Sequence, residues 1–421
     1  MRSGAHPRAG WALGVLTLIN FFNYLDRFVV SALVESPKRS ELRLTDAELG
    51  SLASAFVLVY MLTSPLFGVL GDRGRRPMLI AVGVALWSLA TAAGGLARSF
   101  GGLFAARATV GIGEAAYGTI APAMLSDLYP RERRGRVFAI FFAAISIGGA
   151  AGYIVGGLAD QRFGWRAAFA IAGLPGLLLA LSCLPLPDPK RGATEEEVAD
   201  SALDAASAHR APAPRGGGWA TYARLLRNEP YVLTVAGYAA YTFALGALAF
   251  WMPAFLQRVR GVPQAAATVQ FGAIVVVTGL VGTFAGGWLG DRLLPRYREA
   301  YLWVSGWATL AAAPATLVAF VAPQPAVYLP ALIVAQLLVF ASTGPVNSAI
   351  VNVVAPGERA SAVGLSILAI HLFGDVPSPR LVGSLSDATN LQTAFLILPA
   401  AFAVGGAIWL YAAWRGTRQP S

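Results

Sequence analysis

Six residues of ionisable type stand out inside runs that are largely apolar. Asp26 and Arg27 fall in the run Trp11 to Val34, Arg107 and Glu114 in Leu103 to Leu128, and His371 and Asp375 in Ala362 to Leu385. Inside hydrocarbon such groups are costly unless they are paired or face water, so they are read first as handlers of a substrate or of protons. The competing reading is a set of fixed buried pairs that lock helix packing. Depth separates the candidates. At about 1.5 Å per residue, Asp26 lies about 22 Å from the edge near Trp11, and Arg107 about 6 Å from the opposite edge near Leu103. In a core about 30 Å thick the two are level, and they are expected to pair. Glu114 follows Arg107 by seven residues, so it returns to nearly the same helical face two turns deeper, close to the midplane. His371 lies about nine residues into its run, also near the midplane, with Asp375 one turn on. Glu114 beside an arginine can carry a proton, and an imidazole changes charge near neutral pH. The proton-handling candidates are Asp26, Glu114, His371 and Asp375. Asn20, Asn23, Tyr24 and Arg27, at i, i+3, i+4 and i+7, form a polar stripe that is expected to face a cavity.

Other chemistries find no support. Gly111-x-Gly113-x-x-Ala116 imitates a dinucleotide fingerprint, yet it lies inside an apolar run and follows no strand. The only lysines, Lys38 and Lys190, each follow a proline, so there is no phosphate-binding Gly-Lys-Ser/Thr loop and no direct use of ATP is expected. No Cys/His spacing suits a metal, and the single Cys183, between apolar neighbours, is expected to be buried and inert. The expectation is a protein that is not an enzyme, with no catalytic residues, no cofactor and no metal.

The elements that must position these residues follow from composition. Of 421 residues 56% are hydrophobic and 13% charged, and the mean hydropathy of +0.59 argues for lipid. Apolar runs occur at Trp11 to Val34, Ala47 to Leu70, Pro77 to Leu96, Leu103 to Leu128, Val137 to Leu158 and Ala167 to Leu186. A second set runs from Tyr231 to Leu256, Val269 to Leu289, Tyr301 to Val321, Tyr328 to Val354, Ala362 to Leu385 and Leu391 to Trp414. Most are long enough to span hydrocarbon, where a helix satisfies its own backbone; β-barrel alternation is absent. The fold class is therefore an all-α membrane protein of twelve transmembrane helices in two six-helix halves. No small-residue cleavage site follows the first run, which is read as an uncleaved helix. The halves are expected at 1–186 and 230–421, joined by a linker at 187–229 that is rich in Pro, Ala, Gly and charge.

Arginine placement sets the orientation. Twenty-one of the 32 basic residues fall on the side of both termini, eight on the other and three within runs, so both termini are expected in the cytoplasm. The net charge of +10 then reports topology rather than a nucleic-acid partner.

The halves repeat. Gly68-Val-Leu-Gly71-Asp72-Arg73 ends the second run, and Gly287-Trp-Leu-Gly290-Asp291-Arg292 ends the eighth, 219 residues later. Pro130-Arg-Glu132-Arg133 and Pro356-Gly-Glu358-Arg359 make a second matched pair. Asp72, Arg73, Arg76, Asp291 and Arg292 are candidates for a conformational latch, because charges at helix ends can bond the halves together in one state.

Gly68 to Arg76 resembles the loop signature between helices two and three of the major facilitator superfamily. Gly148-x3-Gly152-Tyr153-x2-Gly156-Gly157 is similar to its helix-five glycine motif, with Tyr153 where many antiporters have proline. Asn23-Tyr24-Leu25-Asp26-Arg27, Arg107 with Gly111-Ile-Gly113-Glu114-Ala115, and His371-Leu-Phe-Gly374-Asp375-x-x-Ser378-Pro379 resemble the spinster family of lysolipid and sphingolipid transporters. The resemblance implies the major facilitator fold and a secondary active transporter that moves an amphipathic lipid, a lysophospholipid or sphingoid phosphate, by alternating access with proton coupling. For such a lipid the polar group needs fixed donors, which Asn23, Tyr24, Arg27, Arg107 and Glu114 would supply, the arginines forking onto phosphate oxygens. A carrier of a small organic anion or drug, and a non-transporting membrane receptor, are the alternatives. The expected partners are an amphipathic lipid and protons, with no nucleic acid, and the expected setting is a monomer in the bacterial inner membrane.

Overall fold

In a computed structural model, residues 7–36, 40–190, 219–355 and 358–418 are described, and every regular element among them is a helix. The first half contains α1 (Ala9–Leu33), α2 (Asp46–Arg73), α3 (Arg76–Gly94), α4 (Phe100–Leu128), α5 (Arg131–Phe163), α6 (Trp165–Gly173) and α7 (Pro175–Cys183). A short helix, α8 (Trp219–Arg227), precedes α9 (Glu229–Arg258), α10 (Gln264–Leu293), α11 (Ala300–Val321) and α12 (Pro325–Asn352). Then come α13 (Arg359–Ile370), a π-helical turn at His371–Asp375, α14 (Pro377–Ala388), α15 (Leu391–Phe395) and α16 (Ile397–Arg418). Eleven of the resulting traverses are long and apolar enough to cross a membrane by composition, and α4, which carries Arg107 and Glu114, completes the twelve. Residues 191–218 of the expected linker, Arg2, Lys38, Arg39, and Pro356 and Gly357 of the repeated motif lie outside the described residues.

Local chemistry sets the breaks. Pro175 opens α7 and divides the sixth traverse into α6 and α7, and Gly164, at a φ of 82° that glycine adopts without a Cβ clash, ends α5. Asn228 caps α9 by accepting from Tyr231 N at 3.1 Å, and Ser99 caps α4 by accepting from Gly102 N at 3.2 Å. The eleventh traverse is broken because Pro377 has no N–H to offer Phe373 O, and the turn widens so that Val376 N reaches His371 O at 3.1 Å.

The chain forms two compact units. The first comprises residues 1–44, 55–211 and 264–272; the second comprises 45–54, 212–263 and 273–421. Each therefore includes a short helix start from the other half of the sequence. In the first unit, Gln264 Nε2 donates to Asp160 Oδ2 at 2.5 Å, and Ser36 Oγ donates to the same oxygen. In the second, the Asp387 carboxylate accepts from the N–H groups of Asp46 and Ala47 at 2.9 and 2.8 Å, at the positive end of α2. Asp46 in turn receives Arg258 at 2.5 Å and Ser386 at 2.6 Å.

Within the first unit the helix-five glycine motif is a packing ridge. A Cβ at Gly148 or Gly152 would be driven into the backbone carbonyl of Phe21 or Leu25, and one at Gly156 into Ala32. Small residues every fourth position thus let α5 lie directly on α1, which fixes the helix that carries Asp26 and Arg27.

Candidate functional site

The first unit gathers four charged side chains from two helices. Asp26 and Arg27 are consecutive on α1, Arg107 and Glu114 lie two turns apart on α4, and they pair crosswise. Arg27 Nη2 is 2.8 Å and Nε 3.3 Å from Glu114 Oε2. Arg107 Nη1 is 3.9 Å from Asp26 Oδ1, and Asp26 Oδ2 accepts from Thr91 Oγ1 at 2.6 Å. Two positive and two negative groups balance, as buried charge must. The Asp26, Arg107 and Glu114 side chains expose 3% or less, whereas Arg27 exposes 25%. The entry to the cluster is therefore through Arg27.

Aromatic faces complete the setting. The Arg27 guanidinium lies 4.7 Å from the Tyr24 ring centre, 4.8 Å from Phe56 and 5.4 Å from Tyr60. Arg107 approaches Phe56 at 5.1 Å, so one ring of α2 serves both cations. Sequence reading did not select Phe56, Tyr60 or Thr91. Phe56 and Tyr60 are separated by one helical turn in a run read only as a membrane span, and nothing in the spacing distinguishes them from packing aromatics.

The expected stripe on α1 divides. Tyr24 and Arg27 are half-buried, but Asn20 and Asn23 are buried, and Asn20 donates to Phe141 O at 2.9 Å. Asn20 therefore ties α1 to α5. Asn23 Nδ2, Glu114 Oε1 and Arg107 Nε and Nη1 make no hydrogen bond among the described residues. Polar capacity thus remains inside the cluster. Toward the amino-terminal end of α1, an apolar groove of about 670 Å³ is lined by Leu13, Gly14, Thr17, Phe21, Ile140 and Ile147 of α1 and α5, among others. Phe21 is one turn from Tyr24 and Leu25, so the groove and the charged cluster share a helix.

In the second unit, His371 Nδ1 lies 2.8 Å from Asp375 Oδ1 across the π-helical turn, both side chains exposing 22%. Gly374 makes the turn fit against α9: a Cβ there would press on the Thr242 side chain and the Ala239 carbonyl. Wide turns of this kind are frequent at functional sites, and no sequence period announces one.

The latch candidates are not alike. Asp72 and Arg73 are exposed at the end of α2, and Asp291 and Arg292 are exposed at the end of α10, where Asp291 accepts from Tyr301 Oη at 2.8 Å. Arg76 is buried. Its Nη1 lies 2.7 Å from Asp127 Oδ2, and its backbone N donates to Asp188 at 3.2 Å, so it ties the start of α3 to the end of α4.

Residues 16–374 match the family model of the Major Facilitator Superfamily. A described probable sphingolipid transporter, spinster homolog 2 of Arabidopsis thaliana, is 32% identical over 94% of this chain and 85% of its own. The chain belongs to the spinster family of the major facilitator superfamily. Protein spinster of Drosophila melanogaster is 34% identical over 90% of this chain, which spans 62% of the length of that relative. A crystal structure of a bacterial homologue of the human lysosomal transporter spinster, inward-facing and unoccupied, superposes with a TM-score of 0.87 at 24% identity, covering 99% of this chain and all of that one. That likeness carries the twelve-helix fold. The relatives at the sequence level place this spinster-family chain among multi-pass membrane proteins.

Proposed function

We propose that this spinster-family protein is a proton-coupled secondary transporter of an amphipathic lipid with an anionic headgroup, a lysophospholipid or a sphingoid phosphate. One observation carries the proposal: the partly exposed Arg27, paired to a fully buried Glu114, lies on the same helix as an apolar groove, nearly two turns beyond its lining residue Phe21. A phosphate needs forked cationic donors and an acyl or sphingoid tail needs an apolar wall, and the first unit supplies both. The headgroup meets Arg27 first and competes with Glu114 for it. A carboxylate that loses its buried cation is stabilised by taking a proton, so lipid binding and protonation are linked. Arg107, Asn23 and Tyr24 add donors to the headgroup, while Asp26 holds Arg107. His371 and Asp375 form a secondary proton-responsive pair.

Alternating access would be a rocking of the bundles 1–186 and 230–421 about the linker 187–229, with both termini in the cytoplasm. Asp72 and Arg73 with Asp291 and Arg292 would latch the helix ends on the linker side in one state, with Arg76 holding its neighbouring helix end in place. The relative named as a probable sphingolipid transporter supports the lipid class, although that name describes the relative alone.

The test is a ligand panel. Purified protein is heated with lysophospholipids, sphingoid phosphates, neutral lysolipids and small organic anions, and the same panel is then followed in proteoliposomes for transport. Stabilisation and movement by the anionic amphiphiles, but not by the small anions, is the expected result. Stabilisation by small anions alone would point to an organic-anion carrier, and binding without movement to a receptor.

A further inference from the structure

The repeated motif residue Glu358 has no place in that transport reading, yet it is held firmly. Arg224 of α8 brings Nε to 2.8 Å and Nη2 to 2.6 Å of Glu358 Oε1, and the same Nη2 donates to Thr221 Oγ1 at 3.1 Å. Leu225 is 1% exposed and packs in a cluster with Tyr231, Val235, Ile350, Val354 and Ala362. Thr221 and Leu225 thus form a buried inner face on the ends of α9, α12 and α13, and Arg224, itself 58% exposed, reaches from its edge to Glu358.

The opposite face is apolar and partly exposed. Tyr222 is 39% and Leu226 64% exposed, one helical turn apart on one face, with Ala223 exposed between them. Arg227 is exposed at the end of the helix, and α8 has no acidic residue in its sequence, Trp-Ala-Thr-Tyr-Ala-Arg-Leu-Leu-Arg. A single residue, Asn228, separates α8 from the membrane-crossing α9, and it cannot swing. Its Nδ2 donates to Val353 O at 2.9 Å while its Oδ1 caps Tyr231 N. That double anchorage holds α8 at the level where α9 enters lipid. An amphipathic helix at that level, with a tyrosine and a leucine outward and arginines at its margin, matches a bilayer interface in both apolar face and charge.

We propose that α8 is an interfacial helix that beds Tyr222 and Leu226 into the leaflet on the linker side and holds an anionic phospholipid headgroup through Arg227. Arg224 and Glu358 then connect that lipid contact to α13, the helix that runs directly into the His371–Asp375 turn. This assignment stands on the second unit alone and does not depend on which substrate is carried.

A spin label tests it in the full chain. Cys183 is replaced by alanine, Leu226→Cys is labelled, and the protein is reconstituted in vesicles of phosphatidylcholine alone or in equal parts with phosphatidylglycerol. The label should collide with oxygen more than with a polar nickel complex in both, and should sit deeper in the anionic vesicles. Arg227→Gln should abolish the dependence on phosphatidylglycerol and leave the label in the interface. A label freely reached by the nickel complex would overturn the proposal, since α8 would face water. A label reached by neither reagent would also overturn it, showing that protein covers the face. A depth indifferent to phosphatidylglycerol in the parent would remove the anionic headgroup.

Discussion

Arg27 and Glu114 form a close ion pair, Nη2 to Oε2 2.8 Å, between α1 and α4, and the pair is lopsided: Glu114 is sealed while a quarter of Arg27 is reachable. The second pair, Arg107 with Asp26, is sealed on both sides. The first pair is therefore the one a ligand can open, and the second is the one that holds its frame.

Removing one member of the sealed pair leaves the other charge uncompensated. Asp26→Asn keeps a partner for Thr91 but strips Arg107 of its counter-charge, and it should destabilise the protein by about 3–5 kcal/mol. Adding Arg107→Met in the same chain should recover part of the loss. Unfolding in bicelles, followed as a double-mutant cycle, checks this; an Asp26→Asn protein as stable as the parent would show that the two side chains are independent.

Phe56 presents its ring to both guanidiniums. Phe56→Leu keeps apolar volume and loses the π-face, so lipid binding should weaken by about 2 kcal/mol, close to thirtyfold, with Phe56→Tyr near the parent. Calorimetric titration with the lipid that stabilises the protein best reads the difference. Equal affinities for the leucine and tyrosine variants would mean that the ring only fills space.

The sequence carried the helices and the depth of Asp26 and Arg107, because hydrophobic run length and rise per residue are one-dimensional quantities. Ala9–Leu33 and Asp46–Arg73 lie within a few residues of the runs Trp11 to Val34 and Ala47 to Leu70. The partner of Glu114 was not legible. A shared face on α4 links Glu114 to Arg107, but Arg27, next to Asp26 on α1, reaches it instead, and which of two adjacent arginine stems turns toward α4 is decided by packing. Asn20 misled for a related reason: a polar stripe marks a face that needs partners, and a neighbouring helix supplies Asn20 with one as well as water would. Phe56, Asp160 and Asp387 act through contacts far apart in sequence, and no local pattern singles them out.

At the helix ends, neutralising Asp72 and Asp291 together should shift the population toward the inward-open state. Spin-label pairs across the linker-side face should report longer distances in lipid for the double variant. Unchanged distances in a folded protein would remove the latch, and Tyr301→Phe, which strips Asp291 of its hydrogen bond, should shift the same distances less.

In the loop before α2, the hydrogen bond from Arg166 holds the Glu41 carboxyl below the usual glutamate range. A folded value lower than the unfolded one means that the contact stabilises above the unfolded value and is lost as pH falls through the folded one. Acidification below the ordinary carboxylate range should therefore release Glu41, while Arg166 keeps its bonds to Gly95 O and Ala97 O at 2.8 and 2.7 Å. A carboxyl NMR titration should place Glu41 below a free glutamate, and Arg166→Gln should return it. A parent midpoint at the free value would contradict the contact.

The central claim is that lipid and proton meet at Glu114, and the most direct measurement is the pH profile of lipid transport by Glu114→Gln in proteoliposomes. Glutamine copies the protonated carboxyl without changing its size, so the variant should bind lipid and transport it at a rate that no longer follows pH, while His371→Ala keeps a pH-dependent rate. An unchanged pH profile in Glu114→Gln, with the dependence lost in His371→Ala, would contradict the account and make the Arg27–Glu114 pair a structural one.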